Sequence, residues 1–136
     1  MLHSRYSVYS EKCPSRNVLE GISDKWSILV INLLSSKVYR FGELKREIGG
    51  ISPKMLTQTL LKLERYGFVE RRSYPVLPMK VEYSLTNLGK ELSAILVLLT
   101  SWTETNMSQI IKAEEGFIKE REMNCLFKPS HQSLLP

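Results

Sequence analysis

Cysteine and histidine are scarce in this chain, and their scarcity excludes several classes of protein. The two cysteines, Cys13 and Cys125, are too few for a disulfide scaffold and lack the paired spacing of a zinc finger. The two histidines, His3 and His131, lie in terminal segments, so neither can complete a catalytic arrangement in the core. Since a Gly-rich phosphate loop is also missing, we predict no enzymatic activity, no cofactor and no metal site.

Long hydrophobic runs are missing as well. The longest uninterrupted apolar run covers only residues 94–99, whereas a helix needs roughly 20 apolar residues to span a bilayer. The N-terminus lacks the apolar core of a signal peptide. We therefore expect no membrane association and a cytoplasmic location.

Charge is present but unevenly distributed. The chain has a formal net charge of +5, and the segment from Lys54 to Lys80 holds six Lys or Arg against two Glu. Residues 104–136 are slightly acidic, with four basic and five acidic groups. A local positive surface favours a polyanionic partner, although a solvated basic face without a partner is the alternative.

Helical periodicity dominates the first 65 residues. A short helix is predicted after Cys13-Pro14, and Ser23-Asp24 offers a cap for the next one. The following core positions are predicted to be Trp26, Leu29, Val30, Leu33 and Leu34. A third short helix buries Phe41, Leu44 and Ile48 and ends at Gly49-Gly50, residues that tolerate positive φ.

The fourth helix is the most informative element of the chain. Ser52 can cap it, and Pro53 suits its first position because the missing N–H is no loss there. Leu56, Leu60 and Leu63 follow a helical period and are predicted to face the core. A short helix, a tight turn and this second helix form the order of a helix-turn-helix, whose second member enters the major groove of DNA.

The composition then changes to β-forming residues. Phe68, Val69 and Tyr74 precede the alternating segment 81–85, and residues 75–80 between them contain two prolines. Because proline cannot donate to a regular ladder, this intervening segment is predicted to be a protruding loop. A hairpin in this position is the wing of a winged helix-turn-helix.

A long amphipathic helix is predicted after Thr86, which resembles an N-cap. Its apolar residues repeat with heptad spacing and widen into a stripe broader than a small domain needs, which favours a homodimer. The alternative is that the whole stripe packs internally. The predicted dimer interface consists of Leu88, Leu92, Ile95, Leu99 and Trp102. The predicted fold class is mainly α with a small β-hairpin (α+β), with terminal helices forming the dimer interface.

Several separate motifs make the chain resemble the HxlR-type winged helix-turn-helix transcriptional regulators of bacteria and archaea. The resemblance covers roughly residues 13–105, between a 1–12 arm and a 106–136 helical extension and tail. It implies dimers that present a recognition helix and a wing from each subunit to a pseudo-palindromic operator. The matching motifs are Cys13-Pro14, Asp24-Lys25-Trp26, Arg40-Phe41-Gly42-Glu43-Leu44, the segments 50–56 and 81–86, and Gly89.

Double-stranded DNA is therefore the predicted partner. Lys54, Thr57 and Gln58 share the exposed face of the fourth helix, and Gln58 can pair with adenine. Relatives often have basic residues where this chain has Thr59 and Leu61, so we expect fewer charges to reach the groove and the wing to share the binding. The complete predicted DNA-binding set is Arg40, Lys45, Ser52, Lys54, Thr57, Gln58, Lys62, Arg65, Arg71, Arg72 and Lys80.

Cys13 is a candidate redox or electrophile sensor. It precedes a helix start and lies between Lys12 and Arg16, and both the helix dipole and the cations favour the reactive thiolate. The resemblance implies the same idea, because some relatives sense oxidants through a cysteine before this proline. Cys125 is the weaker candidate for a resolving thiol, and an inert Cys13 is the alternative. A different function altogether, a winged-helix protein-interaction module that does not read DNA, also remains open at this stage.

Overall fold

A computed structural model describes residues 5–127 of the chain. The chain divides into two compact units that meet in sequence between Leu98 and Leu99. The elements are α1 (Pro14–Ile22), α2 (Lys25–Leu34), α3 (Phe41–Glu47), α4 (Pro53–Arg65), β1 (Val69–Tyr74), β2 (Lys80–Leu85) and α5 (Asn87–Leu126). The predicted winged helix-turn-helix is confirmed.

Three helix starts follow the predicted capping chemistry. The Asp24 carboxylate accepts from the Ser27 N–H at 3.0 Å, and the Ser52 hydroxyl accepts from the Met55 N–H at 3.1 Å. The Thr86 hydroxyl accepts from the N–H of Gly89 at 3.0 Å. These bonds satisfy backbone donors that have no partner inside a helix, so each helix begins at a residue defined by the sequence.

The core of the first unit lies between α2, α3, α4 and the base of the hairpin. The α4 residues Leu56, Leu60 and Leu63 are buried as predicted. The prediction for α2 was partly wrong, because Ile31 is fully buried whereas Leu29 is exposed. Apolar residues occupy most of the circumference of α2, so helical periodicity alone did not identify which of them are the most deeply buried.

The two strands pair antiparallel, from Val69 opposite Leu85 to Tyr74 opposite Lys80. The loop predicted over residues 75–80 covers only residues 75–79, because Lys80 already pairs with Tyr74 as the first residue of β2. The Leu77–Pro78 peptide bond in this exposed loop is cis. Tyr39 extends the pairing, because its backbone exchanges two hydrogen bonds with that of Tyr83, at 3.1 and 2.8 Å. The wing is therefore attached to the segment before α3 as well as to α4.

α5 begins as predicted after Thr86, but it continues past residue 106 to Leu126. Gly89 packs closely against the residue before β1, since a Cβ atom there would overlap the backbone carbonyl of Phe68. The predicted domain limits stay predictions, and residues 1–4 and 128–136 lie outside the described residues. Between residues 5 and 127, no helix combines the length and apolarity needed to cross a membrane.

Candidate nucleic-acid interface

The N-terminal half of α4 presents a polar face to solvent. Lys54, Thr57 and Gln58 are all exposed, while Leu56 and Leu60 hold the opposite face in the core. The Thr57 hydroxyl donates to the Pro53 carbonyl at 2.8 Å, which leaves its oxygen as an acceptor. Lys54 forms no ion pair with any residue between 5 and 127. An exposed cation, an amide and a hydroxyl on one helix face can bond both phosphates and base edges.

The structure corrects the interpretation of Thr59. Thr59 is only 3% exposed, and its hydroxyl donates to the Met55 carbonyl at 2.8 Å. A side chain at this position faces the interior, so the prediction that Thr59 removes a groove contact was wrong. Leu61, by contrast, is 59% exposed.

Lys62 points to the carboxylate of Asp24, the N-cap residue of α2. Its ammonium group lies 2.7 Å from the Asp24 carboxylate, and both side chains are only partly exposed. Burial by itself raises the pKa of Asp24. Hydrogen bonds from Lys62 and Ser27, together with the charge of Lys62, outweigh this effect, so the net shift of the pKa is downward. The role of Lys62 in DNA binding stays a prediction. Sequence reasoning missed Asp24 as its partner, because 38 residues separate the two and no local pattern links them.

The other predicted contacts outside the wing lie at the ends of the helix-turn-helix. Ser52 is exposed, and its hydroxyl caps α4. Arg40 is exposed just before α3, where its N–H donates to the Glu43 carboxylate at 3.4 Å. Lys45 and Arg65 are exposed in the last turns of α3 and α4, where the helix dipole favours cations.

Two of the three predicted wing cations are paired with carboxylates of the hairpin. Arg72 lies 3.4 Å from Glu70, and Lys80 lies 2.9 Å from Glu82. Hydrogen bonding to Tyr74, followed by the charge of Glu70, raises the pKa of Arg72. The Lys80 hydrogen bond likewise lowers the pKa of Glu82.

Arg71 differs from the other two wing cations. It donates to the Ser73 hydroxyl at 3.1 Å and forms no carboxylate pair within residues 5–127. The wing therefore offers less free positive charge than its composition indicates, with Arg71 as its least compensated cation.

The first unit thus combines an exposed polar face at the start of α4, a preceding helix with an exposed cation and an attached hairpin. Most of this domain matches a known family. Residues 21–111 match the HxlR-like helix-turn-helix family. The chain belongs to this family. It is accordingly a helix-turn-helix transcriptional regulator.

Individual relatives agree with this assignment. The HTH-type transcriptional regulator YtfH of Escherichia coli K12 is 41% identical over 109 residues, which cover 80% of this chain and 86% of YtfH. The solved ytfH structure from Salmonella typhimurium is 43% identical, covers 81% of this chain and 98% of that one, and superposes with a TM-score of 0.77. The redox regulator HypR in its reduced form is 34% identical, with 73% and 98% coverage and a TM-score of 0.67.

The Cys13 thiol occupies the N-cap of α1 and is partly exposed. Its sulfur lies 3.1 Å from the Ser15 hydroxyl and accepts from the Ser7 N–H at 3.3 Å. Hydrogen bonds from the Ser15 hydroxyl, then from the N–H groups of Ser15 and Ser7, lower the pKa of Cys13. The predicted shift toward thiolate is thus present, but hydrogen bonds cause it rather than Lys12 and Arg16. Cys125 is exposed near the end of α5.

The residues predicted to form the dimer interface belong to both units of the chain. In the first unit, Leu88 and Ile95 are 52% and 65% exposed, while Leu92 packs partly against the core. In the second unit, Leu99 and Trp102 are 49% and 59% exposed. Within each unit, exposed large apolar residues of this kind are typical of interaction surfaces.

The described part of the chain contains no candidate metal site. Within residues 5–127, no group of three or more histidine, cysteine or acidic side chains is arranged to hold an ion. His3 and His131 lie outside the described residues.

Proposed function

We propose that this regulator binds double-stranded DNA as a homodimer, with α4 in the major groove and the wing beside it. The observation that carries the proposal is the exposed face of Lys54, Thr57 and Gln58 at the start of a firmly packed helix. Arg40 lies just before α3, and Lys45 and Ser52 lie on either side of the turn between α3 and α4, where phosphates would position the protein. Arg65, Arg71, Arg72 and Lys80 complete the proposed contacts.

Dimerisation is proposed through α5. The exposed apolar residues Leu88, Ile95, Leu99 and Trp102, together with the half-buried Leu92, support this assignment. In a symmetric dimer, two copies of α4 would enter successive major grooves about 34 Å apart. A pseudo-palindromic operator follows from that symmetry.

Cys13 is proposed to couple DNA binding to an oxidant or electrophile. The lowered pKa of the thiol favours the nucleophilic thiolate, and the sulfur is partly exposed. The similarity to the redox regulator HypR supports the same role. Cys125 is the proposed resolving thiol.

The test begins with selection of bound sequences from a random duplex library, followed by titration of the selected duplex and a scrambled duplex. We expect tighter binding to the selected duplex, with an affinity that falls steeply as salt rises. Absence of duplex binding even at low salt would refute DNA recognition and leave the protein-interaction module as the function. Unchanged binding after oxidant treatment of both the wild type and Cys13→Ser would refute the sensor role.

A further inference from the structure

The Asp24 carboxylate joins two helices of the first unit, α2 and α4. One oxygen accepts from the Ser27 N–H at 3.0 Å and thereby caps α2. The other oxygen lies 2.7 Å from both the Ser27 hydroxyl and the Lys62 ammonium of α4. Both carboxylate oxygens are therefore occupied, and a single side chain links the start of α2 to the third turn of α4.

The end of α1 belongs to the same junction. The Ser27 hydroxyl lies 3.2 Å from the carbonyl of Gly21, in the last turn of α1, and 2.7 Å from Asp24. Because a hydroxyl has one proton, the shorter distance assigns that proton mainly to the carboxylate. Gly21 also lies against α4, since a Cβ there would meet the Tyr66 ring at 3.0 Å and the Lys62 stem at 3.6 Å.

The ion pair has a consequence for the charge of α4. Lys62 is a strong candidate for a phosphate contact by sequence, but its ammonium already faces a carboxylate at charge-assisted hydrogen-bond distance. A lysine held in this way adds little net positive field outside the protein. Lys54, by contrast, is exposed and unpaired among residues 5–127.

We infer that Asp24 is a positioning residue for DNA recognition: through its ion pair with Lys62 it holds α4 against α1 and α2, so that Lys62 serves the packing of α4 and does not contact phosphate. This inference rests on the proposed DNA-binding function. The position of α4 determines whether Lys54 and Gln58 reach the groove together, so a loosened junction lowers sequence discrimination. Asp24 itself touches no DNA.

Two substitutions separate positioning from direct contact. Asp24→Asn removes the charge but keeps an N-cap of similar strength, and Lys62→Met removes the ammonium but keeps most of the stem. The double variant tests whether both act through one interaction. Lys54→Gln serves as the reference for a phosphate contact, and Lys119→Met, at an exposed position of α5, serves as the matched charge control. Circular dichroism checks that each variant is folded at the binding temperature.

Affinity for the selected and scrambled duplexes is then measured as a function of salt. We expect each junction variant to weaken binding to the selected duplex about three- to ten-fold, with an unchanged salt slope and a smaller ratio of specific to non-specific affinity. The double variant should be no weaker than either single variant. Lys62→Arg keeps the charge, so its affinity for the selected duplex should stay close to that of the wild type.

Other results would overturn the inference. A salt slope that becomes shallower by roughly 1.8 per dimer in Lys62→Met would show that Lys62 contacts phosphate. Tighter binding with a steeper slope in Asp24→Asn would show that the carboxylate merely masks a DNA contact. Unchanged affinity in folded junction variants would show that the pair has no part in recognition. Failure of the wild type to bind any duplex would instead overturn the proposed function.

Discussion

Lys54 should show opposite effects on stability and on DNA binding. It is the second residue of α4, exposed and without an ion pair among residues 5–127. The N-terminal end of a helix carries partial positive charge, so a cation there is unfavourable by about 0.3–1 kcal/mol. Replacing Lys54 with Gln removes this repulsion, and we expect the folded protein to gain about 0.3–0.5 kcal/mol. A lysine at such an unfavourable position is explained by binding to an anion.

The expected loss of DNA affinity follows from the counterions that phosphate contacts release. Each contact contributes roughly 0.9 to the slope of log affinity against log salt. A homodimer on a pseudo-palindrome loses two contacts when Lys54 is replaced, so its slope should become shallower by roughly 1.8. Extrapolated from 1 M salt to 0.1 M, this corresponds to about a 60-fold weaker complex.

Fluorescence anisotropy with a labelled duplex measures this slope between 0.05 and 0.3 M salt, which is about the range where such slopes are linear. Urea unfolding of the same variant measures the change in stability. Lys119→Gln, an exposed lysine of α5, is the matched control and should leave the salt slope unchanged. An unchanged slope in Lys54→Gln would refute the placement of the α4 N-terminus on phosphate, whatever happens to stability.

Three further predictions concern the packing, the thiol and the dimer. Gly89→Ala should destabilise the fold by about 3 kcal/mol in urea titrations, because the added Cβ would overlap the Phe68 carbonyl. Gly116→Ala is the control: its Cβ meets no atom within 4 Å, so this substitution should stabilise the helix. In a variant whose other cysteine is serine, alkylation of Cys13 should reach half its maximal rate at lower pH in the folded than in the urea-unfolded protein, because its pKa is lowered; coincident pH profiles would contradict this. Ile95→Glu should convert the dimer to a monomer in sedimentation experiments, and an unaltered dimer would place the interface elsewhere.

The helix starts and the hairpin were accessible from the sequence because their determinants are local. Asp24, Ser52 and Thr86 each satisfy a backbone donor within three residues, so capping needs no tertiary information. The hairpin likewise follows from alternation and from the prolines that confine its loop. Even the ion pair between Glu70 and Arg72 could be predicted from the sequence, since these residues are two apart on one strand and therefore share a face.

The candidate site was less accessible. Sequence reasoning placed Thr59 on the groove side, but α4 packs closely enough to bury its side chain at 3% exposure. It also treated Lys62 as free, because helical periodicity describes which residues share a face but not what lies opposite that face. The cause of the Cys13 pKa shift was missed for a similar reason, since Ser7 approaches the sulfur only through the path of the N-terminal segment.

By itself, the sequence determined the family, the order of the elements and the polar face of α4, because capping, periodicity and turn chemistry act over a few residues. Only the tertiary structure decided which cations are available for DNA. Lys62 is paired with Asp24 across 38 residues of chain, whereas Lys54 is left exposed. The physical reason is that the field a charge exerts on a partner depends on its neighbours in space, and helix packing sets those neighbours.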